Sequence, residues 1–184
     1  MLTITEDSKQ ETNRRFVLSA YDWIGTLVTA LIVLSLILTF VFRVVGVDGN
    51  SMLPSLQNGD KLLMSSNDEH YSRGDIIVID RYTDTPLIKR IIALGGDTIS
   101  ISKTGVVTVN GRVLREPYIQ GKTVLNDIAA NTELQIPTGY LFVMGDNRSS
   151  SKDSRMDEIG FVSEKDVVGR AVMRVWPLNS ITRL

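Results

Sequence analysis

Ser51 and a few polar side chains elsewhere in the chain have the types needed for nucleophilic catalysis. Ser51 lies in Gly49–Pro54, about eight residues beyond the only long apolar segment. A serine hydroxyl is a weak nucleophile at neutral pH and needs a base beside it. His70 is the only histidine, and its polar neighbours in Asn67–Tyr71 are typical of a solvated loop. A carboxylate base would need a raised pKa, and a lysine base would have to be neutral.

Lys89 has the sequence context of a lysine that could be neutral. In the predicted strand Leu87–Leu94 its side chain shares a face with the apolar residues Leu87, Ile91 and Ala93. Burial among them would lower the pKa of the ammonium toward the working range of a general base. A lysine in this pattern can also lie on an edge strand, where it prevents aggregation. The pattern alone leaves both interpretations open.

The segment Gly145–Arg155 follows a predicted buried strand and contains almost only glycine, short hydroxyl and charged side chains. An aspartate and an arginine two residues apart can pair and fix a loop, and short hydroxyls can hold a lysine amine. A solvated loop has a similar composition, so composition alone does not assign a function to this segment.

An apolar segment precedes these residues and predicts a membrane anchor. Trp23–Phe42 is twenty residues without a charge, and as a helix it would be about 30 Å long, which matches a bilayer core. A buried core helix and a cleavable signal peptide are the alternatives. The run is too long for the apolar region of a signal peptide, and no A-x-A-like site follows it. Residues 1–15 are polar and are expected to form a flexible tail.

The charges beside the predicted anchor favour a cytoplasmic N-terminus. Within twenty residues of the anchor, three basic side chains precede it and two follow it. The expected organisation is a single-pass membrane protein with a cytoplasmic tail over 1–22, an anchor over 23–42 and an extracytoplasmic domain over 43–184. An extended chain spans roughly 3.3 Å per residue, so Ser51 would lie no more than about 25–30 Å from the bilayer hydrocarbon.

Beyond the anchor the apolar pattern changes to a period of two, which predicts an all-β domain of many short, mostly antiparallel strands. Asn110-Gly111 lies between two apolar runs and predicts a type I′ hairpin. Residues 116–132 are predicted to be an irregular excursion. The predicted strands are Val44–Val47, Lys61–Met64, Asp75–Ile79, Leu87–Leu94, Thr98–Ser102, Val106–Val109, Arg112–Leu114, Tyr140–Met144 and Val167–Trp176.

Composition excludes several other classes of function. The chain has no cysteine, which excludes disulfides and cysteine-based metal sites. The formal net charge is −1, and the charges beyond the anchor balance without a run of Lys or Arg, so nucleic-acid binding is not expected. No metal site and no cofactor are expected.

Four stretches, taken in order, resemble the motifs of type I signal peptidases, the Ser/Lys proteases that release signal peptides. With the anchor and the closing strand around Gly169–Val172, the resemblance covers residues 20 to about 177. The single anchor and the short chain are similar to the small Gram-positive members. The four stretches are Val47–Pro54, Arg73–Val78, Lys89–Asp97 and Gly145–Arg155.

The resemblance implies that Ser51 is the nucleophile and Lys89 the general base. It implies substrates that are secreted preproteins, bound as an extended strand and cut after small residues in an Ala-x-Ala-like pattern. Met52 and Ile88 are predicted to form walls of the pockets for these small side chains. Membrane lipid and proximity to the secretion translocon are expected. The supporting residues implied by the resemblance are Ser151 as a hydrogen-bond partner of the lysine amine, Asp153 and Arg155 as a pair that shapes the site, and Asp146 and Arg90.

Two positions depart from the most familiar pattern of this family. Gly49 stands two residues before the nucleophile, where some members have a serine whose hydroxyl helps to bind the oxyanion. The Ser51 backbone N–H would then be the main donor, and compensation by a water or another donor is expected, because one lost donor is worth roughly 2.7–4 kcal/mol. Gly95 stands where many members have proline, which affects a turn rather than the chemistry.

Two alternatives share much of this pattern. A self-cleaving repressor-type protease also uses a Ser/Lys dyad, but the anchor, the Gly145–Arg155 segment and the lack of a DNA-binding segment argue against it. A catalytically silent, membrane-tethered assembly factor could keep the fold, and the presence of both Ser51 and Lys89 argues against that interpretation. A eukaryotic or archaeal-type peptidase would have histidine in place of Lys89.

Overall fold

The computed structural model describes residues 3–66, 70–80, 82 and 85–184, with the side chains of these residues except 3–13 and 36–42. The polar turn predicted before His70 falls, at residues 67–69, outside the described residues. The chain forms two compact units, Met1–Val41 and Phe42–Leu184. The second unit carries every candidate site residue.

The first unit is one helix, α1, over Thr3–Val41. The flexible tail predicted for residues 1–15 is wrong from Thr3 onward, because Glu, Lys, Gln and Arg favour helix and one Glu–Arg pair has the favourable i, i+4 spacing. Within α1, the segment Arg14–Ser35 has a mean hydropathy of 1.8, and none of its most apolar stretch is buried. This segment overlaps the predicted span Trp23–Phe42, and its length and composition are compatible with a membrane anchor.

The second unit is built from short strands, as predicted, and its described residues contain no α-helix. Two 3-10 turns, Glu164–Asp166 and Leu178–Ser180, flank the last long strand. In chain order the strands are β1 (Phe42–Gly46), β2 (Lys61–Ser65), β3 (Ile76–Ile79), β4 (Leu87–Leu94), β5 (Thr98–Ile101), β6 (Val107–Val109), β7 (Arg112–Val113), β8 (Leu134–Gln135), β9 (Tyr140–Met144), β10 (Val162–Ser163), β11 (Val167–Trp176) and β12 (Thr182–Arg183).

The strands form two sheets in which every strand pair is antiparallel among the described residues. The larger sheet has the order β1-β2-β11-β3-β4-β9-β10, with β12 paired to β11, and the smaller has the order β7-β6-β5-β8. The predicted hairpin at Asn110-Gly111 joins β6 and β7, and both residues have positive φ angles, 50° and 73°, as a type I′ turn requires. The all-β prediction is therefore confirmed.

Strand β4 lies in the middle of the larger sheet, between β3 and β9. Lys89 is paired with Ile77 of β3, so the edge-strand interpretation of this lysine is wrong. All four residues of β3 are buried, with Ile76 packing into one core cluster and Ile77 into another. Apolar side chains thus cover both faces of β3 and surround the neighbouring part of β4, which places a lysine in the core of the domain.

Candidate active site

Ser51 and Lys89 lie 38 residues apart in the chain, and the fold brings their side chains together. Lys89 projects from β4 with 2% of its surface exposed, and its Nζ lies 2.9 Å from Ser51 Oγ. The same nitrogen lies 2.9 Å from the Ile88 carbonyl oxygen, to which it donates a hydrogen bond. His70, the rival base, is exposed. The serine hydroxyl is therefore in hydrogen-bond contact with the lysine amine.

Burial changes the protonation of Lys89. It lowers the pKa of the ammonium from 10.5 to about 8, because an ion is poorly solvated among apolar side chains. The negative charges of Asp153 and Asp146 act in the opposite direction and raise this pKa. About half of the lysine is therefore neutral at pH 8, whereas a lysine of ordinary pKa would be neutral in less than about 1% of molecules.

Ser51 lies in the turn after β1, and Asn147 holds the backbone of this turn by two hydrogen bonds. The Ser51 backbone carbonyl accepts a hydrogen bond of 3.0 Å from the Asn147 N–H, and Asn147 Nδ2 donates to the Asn50 carbonyl at 3.1 Å. The Met52 side chain behind Ser51 is buried and anchors the turn in the core. Among the described residues, the Ser51 N–H makes no hydrogen bond. It is free to donate to the carbonyl oxygen of a bound substrate.

Gly49 has a backbone conformation that explains its departure from the family pattern. Its φ is +88°, in the region that side chains other than glycine rarely adopt, and its N–H donates to Asn58 Oδ1 at 2.9 Å. A serine here would meet no atom within 4 Å, so backbone strain rather than space disfavours it. The turn therefore keeps glycine and places no oxyanion-binding hydroxyl at this position.

Asp153 and Arg155 form a buried bidentate pair in the catalytic loop, as Gly145–Arg155 is called below. Arg155 Nε and Nη2 each donate to the Asp153 carboxylate at 2.8 Å, and both side chains are 0% exposed. Burial raises the pKa of Asp153, but the hydrogen bonds and charge of Arg155 outweigh it and hold this pKa below its usual range. The Gly145 N–H also donates to Asp153, at 3.0 Å, which closes the loop. The structure thus joins these two predicted residues.

Arg90 and Asp146 form a second bidentate pair, which joins β4 to the catalytic loop. Arg90 Nε and Nη2 donate to the carboxylate at 2.8 and 2.6 Å, and its Nη1 donates to the Gly74 carbonyl at 2.7 Å. Asp146 and Asp153 are thus each paired with an arginine. The described part of the chain has no group of three His, Asp or Glu side chains that could hold a metal ion.

Ser151 lies beside the dyad without the predicted hydrogen bond to the lysine amine. Its Oγ is buried and makes no hydrogen bond of normal geometry among the described residues, although its interaction with the Asp153 carboxylate helps to lower the pKa of that group. Lys89 Nζ contacts Ser51 and Ile88. Ser151 Oγ instead packs against Gly145, where an added Cβ would come within 2.3 Å of it. The predicted hydrogen bond to the amine is not formed in this arrangement. Lys89 Nζ has two partners and as an ammonium could donate to a third, so a role for Ser151 stays a prediction.

Met52 and Ile88, the predicted pocket walls, are placed in the core behind the dyad. Their side chains are 1% and 7% exposed, and both pack in the same apolar cluster. They offer little surface to a substrate in this structure. Their role in substrate binding stays a prediction.

Sequence reasoning missed a third buried ion pair, between Arg148 and Glu116. The two side chains are 0% and 7% exposed, and Arg148 Nη1 lies 3.0 Å from Glu116 Oε2, with a second contact between Nη2 and Oε1. Glu116 belongs to the excursion that had no predicted function. A local pattern could not pair residues 32 positions apart.

The chain is similar in sequence to known proteins over most of its length. Residues 20–176 match the family described as Signal peptidase, peptidase S26. A Signal peptidase I from Bacillus licheniformis is 32% identical over 178 residues, covering 90% of this chain and 93% of its own. Signal peptidase I P from Bacillus subtilis subsp. natto is 36% identical over 170 residues, covering 87% and 91%.

One solved structure is also similar in sequence. It is a signal peptidase I from Enterococcus faecalis V583, 29% identical, and the match covers 56% of this chain and 98% of that one with a TM-score of 0.45. The family match spans the helix, the Ser51 turn, β4 and the catalytic loop. The chain therefore belongs to the signal peptidase family, peptidase S26, and by that membership it is a serine-protease hydrolase that processes signal peptides.

Proposed function

We propose that the protein releases signal peptides from secreted preproteins by acyl-enzyme chemistry, with Ser51 as the nucleophile and Lys89 as the general base. The observation that carries this proposal is the 2.9 Å distance between Lys89 Nζ and Ser51 Oγ. A buried lysine with a pKa of about 8 can take up a proton near neutral pH, which a solvated lysine cannot do efficiently.

Acylation begins when neutral Lys89 accepts the proton of the Ser51 hydroxyl. Oγ then attacks the carbonyl carbon of the last residue of the signal peptide and forms a tetrahedral oxyanion. The Ser51 N–H donates to this oxyanion. The oxyanion collapses, the bond to nitrogen breaks, and the Lys89 ammonium protonates the leaving amine of the mature protein. The signal peptide remains as an ester on Ser51.

Deacylation repeats these steps with water as the nucleophile. Neutral Lys89 accepts a proton from a water molecule, which attacks the ester carbonyl, and the ammonium returns a proton to Ser51 Oγ as the ester bond breaks. In both half-reactions Lys89 is transiently charged in a buried site. The buried Ser151 hydroxyl beside Gly145 is suited to accept a hydrogen bond from the ammonium at that moment.

The substrate is an extended segment that adds a strand to the enzyme, with small residues at the first and third positions before the cut. Backbone hydrogen bonds would supply affinity, and shallow pockets would select the small side chains. We assign Met52 and Ile88 to the walls of these pockets, provided that the surrounding core opens toward the substrate. The supporting roles of Ser151, Asp153, Arg155, Asp146 and Arg90 belong to this proposal.

The protein is proposed to be anchored by a single span, with a cytoplasmic N-terminal segment over 1–22, the span over 23–42 and an extracytoplasmic domain over 43–184. The uncharged run and the exposed apolar surface of α1 support the anchor. The short connection to Ser51 supports a site near the lipid surface. There it would meet preproteins as they leave the secretion translocon.

A cleavage assay with three proteins tests the dyad. The detergent-solubilised full chain, Ser51→Ala and Lys89→Ala are compared on a preprotein whose signal ends in Ala-x-Ala. We expect the wild type to cut after the final Ala and both variants to lose at least about 10³-fold in kcat/KM, because nucleophile and base act as one unit. Equal cleavage by the three proteins would exclude this mechanism.

A further inference from the structure

The excursion between β7 and β8 crosses the catalytic loop, and its residues Glu116–Val124 are called the arginine clamp below. We propose that the arginine clamp holds the catalytic loop in its working position and that Glu116 is the positioning residue at its centre. This proposal rests on the roles proposed above for Ser51 and Lys89. It gives a function to a segment that the sequence pattern left unassigned.

The first support is the charge balance around the catalytic loop. Three arginines with little exposure are each paired with one carboxylate, and two of these carboxylates, Asp146 and Asp153, belong to the loop itself. Arg148 of the loop has its carboxylate partner, Glu116, in the arginine clamp. Without Glu116 a fully buried guanidinium would lack a counter-charge, which is strongly unfavourable.

The second support is a chain of contacts from Glu116 to the dyad. Arg148 Nε donates to the Gly145 carbonyl at 3.0 Å, so the ion pair fixes the first residue of the catalytic loop. A Cβ added to Gly145 would lie 2.5 Å from the Ser51 carbonyl oxygen and 2.3 Å from Ser151 Oγ. Gly145 is therefore packed directly against the nucleophile's turn. A shift of Arg148 would move the surface on which Ser51 rests.

The third support is the backbone. Gln120 forms two backbone hydrogen bonds with the catalytic loop. Its N–H donates to the Asp146 carbonyl at 2.8 Å, and its carbonyl accepts from the Arg148 N–H at 2.9 Å. Further along, the Val124 carbonyl accepts from Arg155 Nη1 at 2.9 Å. The arginine clamp thus pairs with the loop through an isolated parallel β-bridge between Gln120 and Asn147, and it contacts two of the loop's arginines.

The fourth support is Tyr118, which connects the arginine clamp to β4. The Arg90 guanidinium lies over the Tyr118 ring at 4.2 Å from its centroid, a cation–π contact. Burial, together with the charge of Glu116, raises the pKa of Tyr118 to about 12, so its hydroxyl stays protonated and donates to Glu116 Oε1 at 3.2 Å. Arg90 adjoins Lys89 in the chain, so the arginine clamp acts on both sides of the dyad.

Loosening the arginine clamp has a specific chemical consequence. The charged groups that act on Lys89 are Asp153 and Asp146, both in the catalytic loop. If the loop moves away, the two carboxylates that raise the pKa of Lys89 retreat, but water also reaches the amine. Because burial has the larger effect on this pKa, the pKa rises toward 10.5 and less of the lysine is neutral at a given pH. The chemical step slows, while binding of the substrate strand is little changed. A merely structural role would lower stability without moving the pH profile of the folded enzyme.

The test compares Glu116→Gln with the matched control Glu133→Gln, an exposed glutamate at the end of the same excursion. The full chain in detergent is assayed on an Ala-x-Ala preprotein from pH 6 to 10, and the folded fraction is measured by thermal melting. For Glu116→Gln we expect a 10- to 100-fold fall in kcat and a KM within twofold of wild type. The ascending part of the pH–rate profile, which reports deprotonation of Lys89, should shift upward by at least 0.5 pH unit. Glu133→Gln should match the wild type.

Tyr118 gives a second pair of variants that perturbs the fold less. Tyr118→Leu removes the ring beneath Arg90 and should lower kcat severalfold, whereas Tyr118→Phe keeps the ring and should retain most activity. If kcat and the ascending part of the pH–rate profile were unchanged in both Glu116→Gln and Tyr118→Leu, the proposed role of the arginine clamp would be overturned. Ser51→Ala is measured alongside. If it cut as well as the wild type, the proposed function itself would be overturned, and the arginine clamp with it.

Discussion

Lys89 combines two properties that oppose each other, a central position in a sheet and an ionisable amine. Its pKa in the folded chain, about 8, lies below the unfolded value of 10.5. Keeping the ammonium buried therefore destabilises the fold below pH 8, by about 3 kcal/mol at most, and this effect disappears as the pH rises to 10.5. In the proposed mechanism this loss of stability accompanies an amine that can act as a base near pH 8.

The same pKa predicts the pH dependence of cleavage. Because only neutral Lys89 can accept the Ser51 proton, kcat/KM should rise about tenfold per pH unit below pH 7 and level off above about 8 to 9. Initial rates on an Ala-x-Ala preprotein from pH 5 to 10 measure this limb. A rate that stays constant from pH 5 to 9 would show that the base is not a buried lysine.

At the residue scale the sequence predicted the chemistry better than the contacts. Lys89 and Ser51 became candidates because the lysine stands on an apolar face and the serine lies just beyond the apolar segment. The pattern left the interpretation of Lys89 open, and the roles of both residues came from the resemblance to signal peptidases. The missing Ser151 contact and the Glu116–Arg148 pair depend on distances between segments far apart in the chain. No local pattern contains those distances.

At the scale of elements, the catalytic loop is closely packed, above all at Gly145. Gly145 is in contact with both Ser51 and Ser151, and its N–H and carbonyl are held by Asp153 and Arg148. Each of these partners is itself buried in an ion pair. The loop is therefore fixed from several sides, and its first residue transmits any displacement directly to the turn of the nucleophile.

Gly145→Ala tests this rigidity. The new Cβ would come within 2.3 Å of Ser151 Oγ and 2.5 Å of the Ser51 carbonyl oxygen, and the backbone oxygen cannot rotate away. We expect a loss of stability of about 1–3 kcal/mol and a fall of about 10²-fold in kcat for the folded enzyme. Gly46→Ala is the control, because a Cβ there meets no atom within 4 Å. Equal activity of the two variants would contradict a tightly packed loop.

Strands with strong periodic patterns were predicted with their observed bounds, as β4, β9 and β11 show. Strands β8, β10 and β12 have two residues each and were not predicted, because two residues cannot show a period and their pairing comes from the partner strand. The N-terminal tail was expected to be flexible because it is polar. Its residues nevertheless favour helix, and α1 begins at Thr3.

The whole molecule divides into two units with opposite surface chemistry. In α1 large apolar side chains are exposed, including Trp23 at 75% and Leu27 at 61%, whereas the β domain has three clusters of buried apolar residues. An apolar helix of this kind is stable when lipid covers it. The β domain needs no such cover for its core. A preprotein can be cut after translocation only if the β domain is on the side where the signal peptide emerges.

The absence of cysteine from the chain allows a direct test of this orientation. Ser8→Cys and Lys103→Cys each create one thiol, the first before the anchor and the second at an exposed position of the β domain. A membrane-impermeant maleimide added to intact cells should label Lys103→Cys at once and Ser8→Cys only after permeabilisation, while the wild type stays unlabelled. The slight excess of basic residues before the span predicts the same orientation, but by only three charges to two. Labelling of Ser8→Cys in intact cells would therefore reverse the topology and separate the dyad from its proposed substrates.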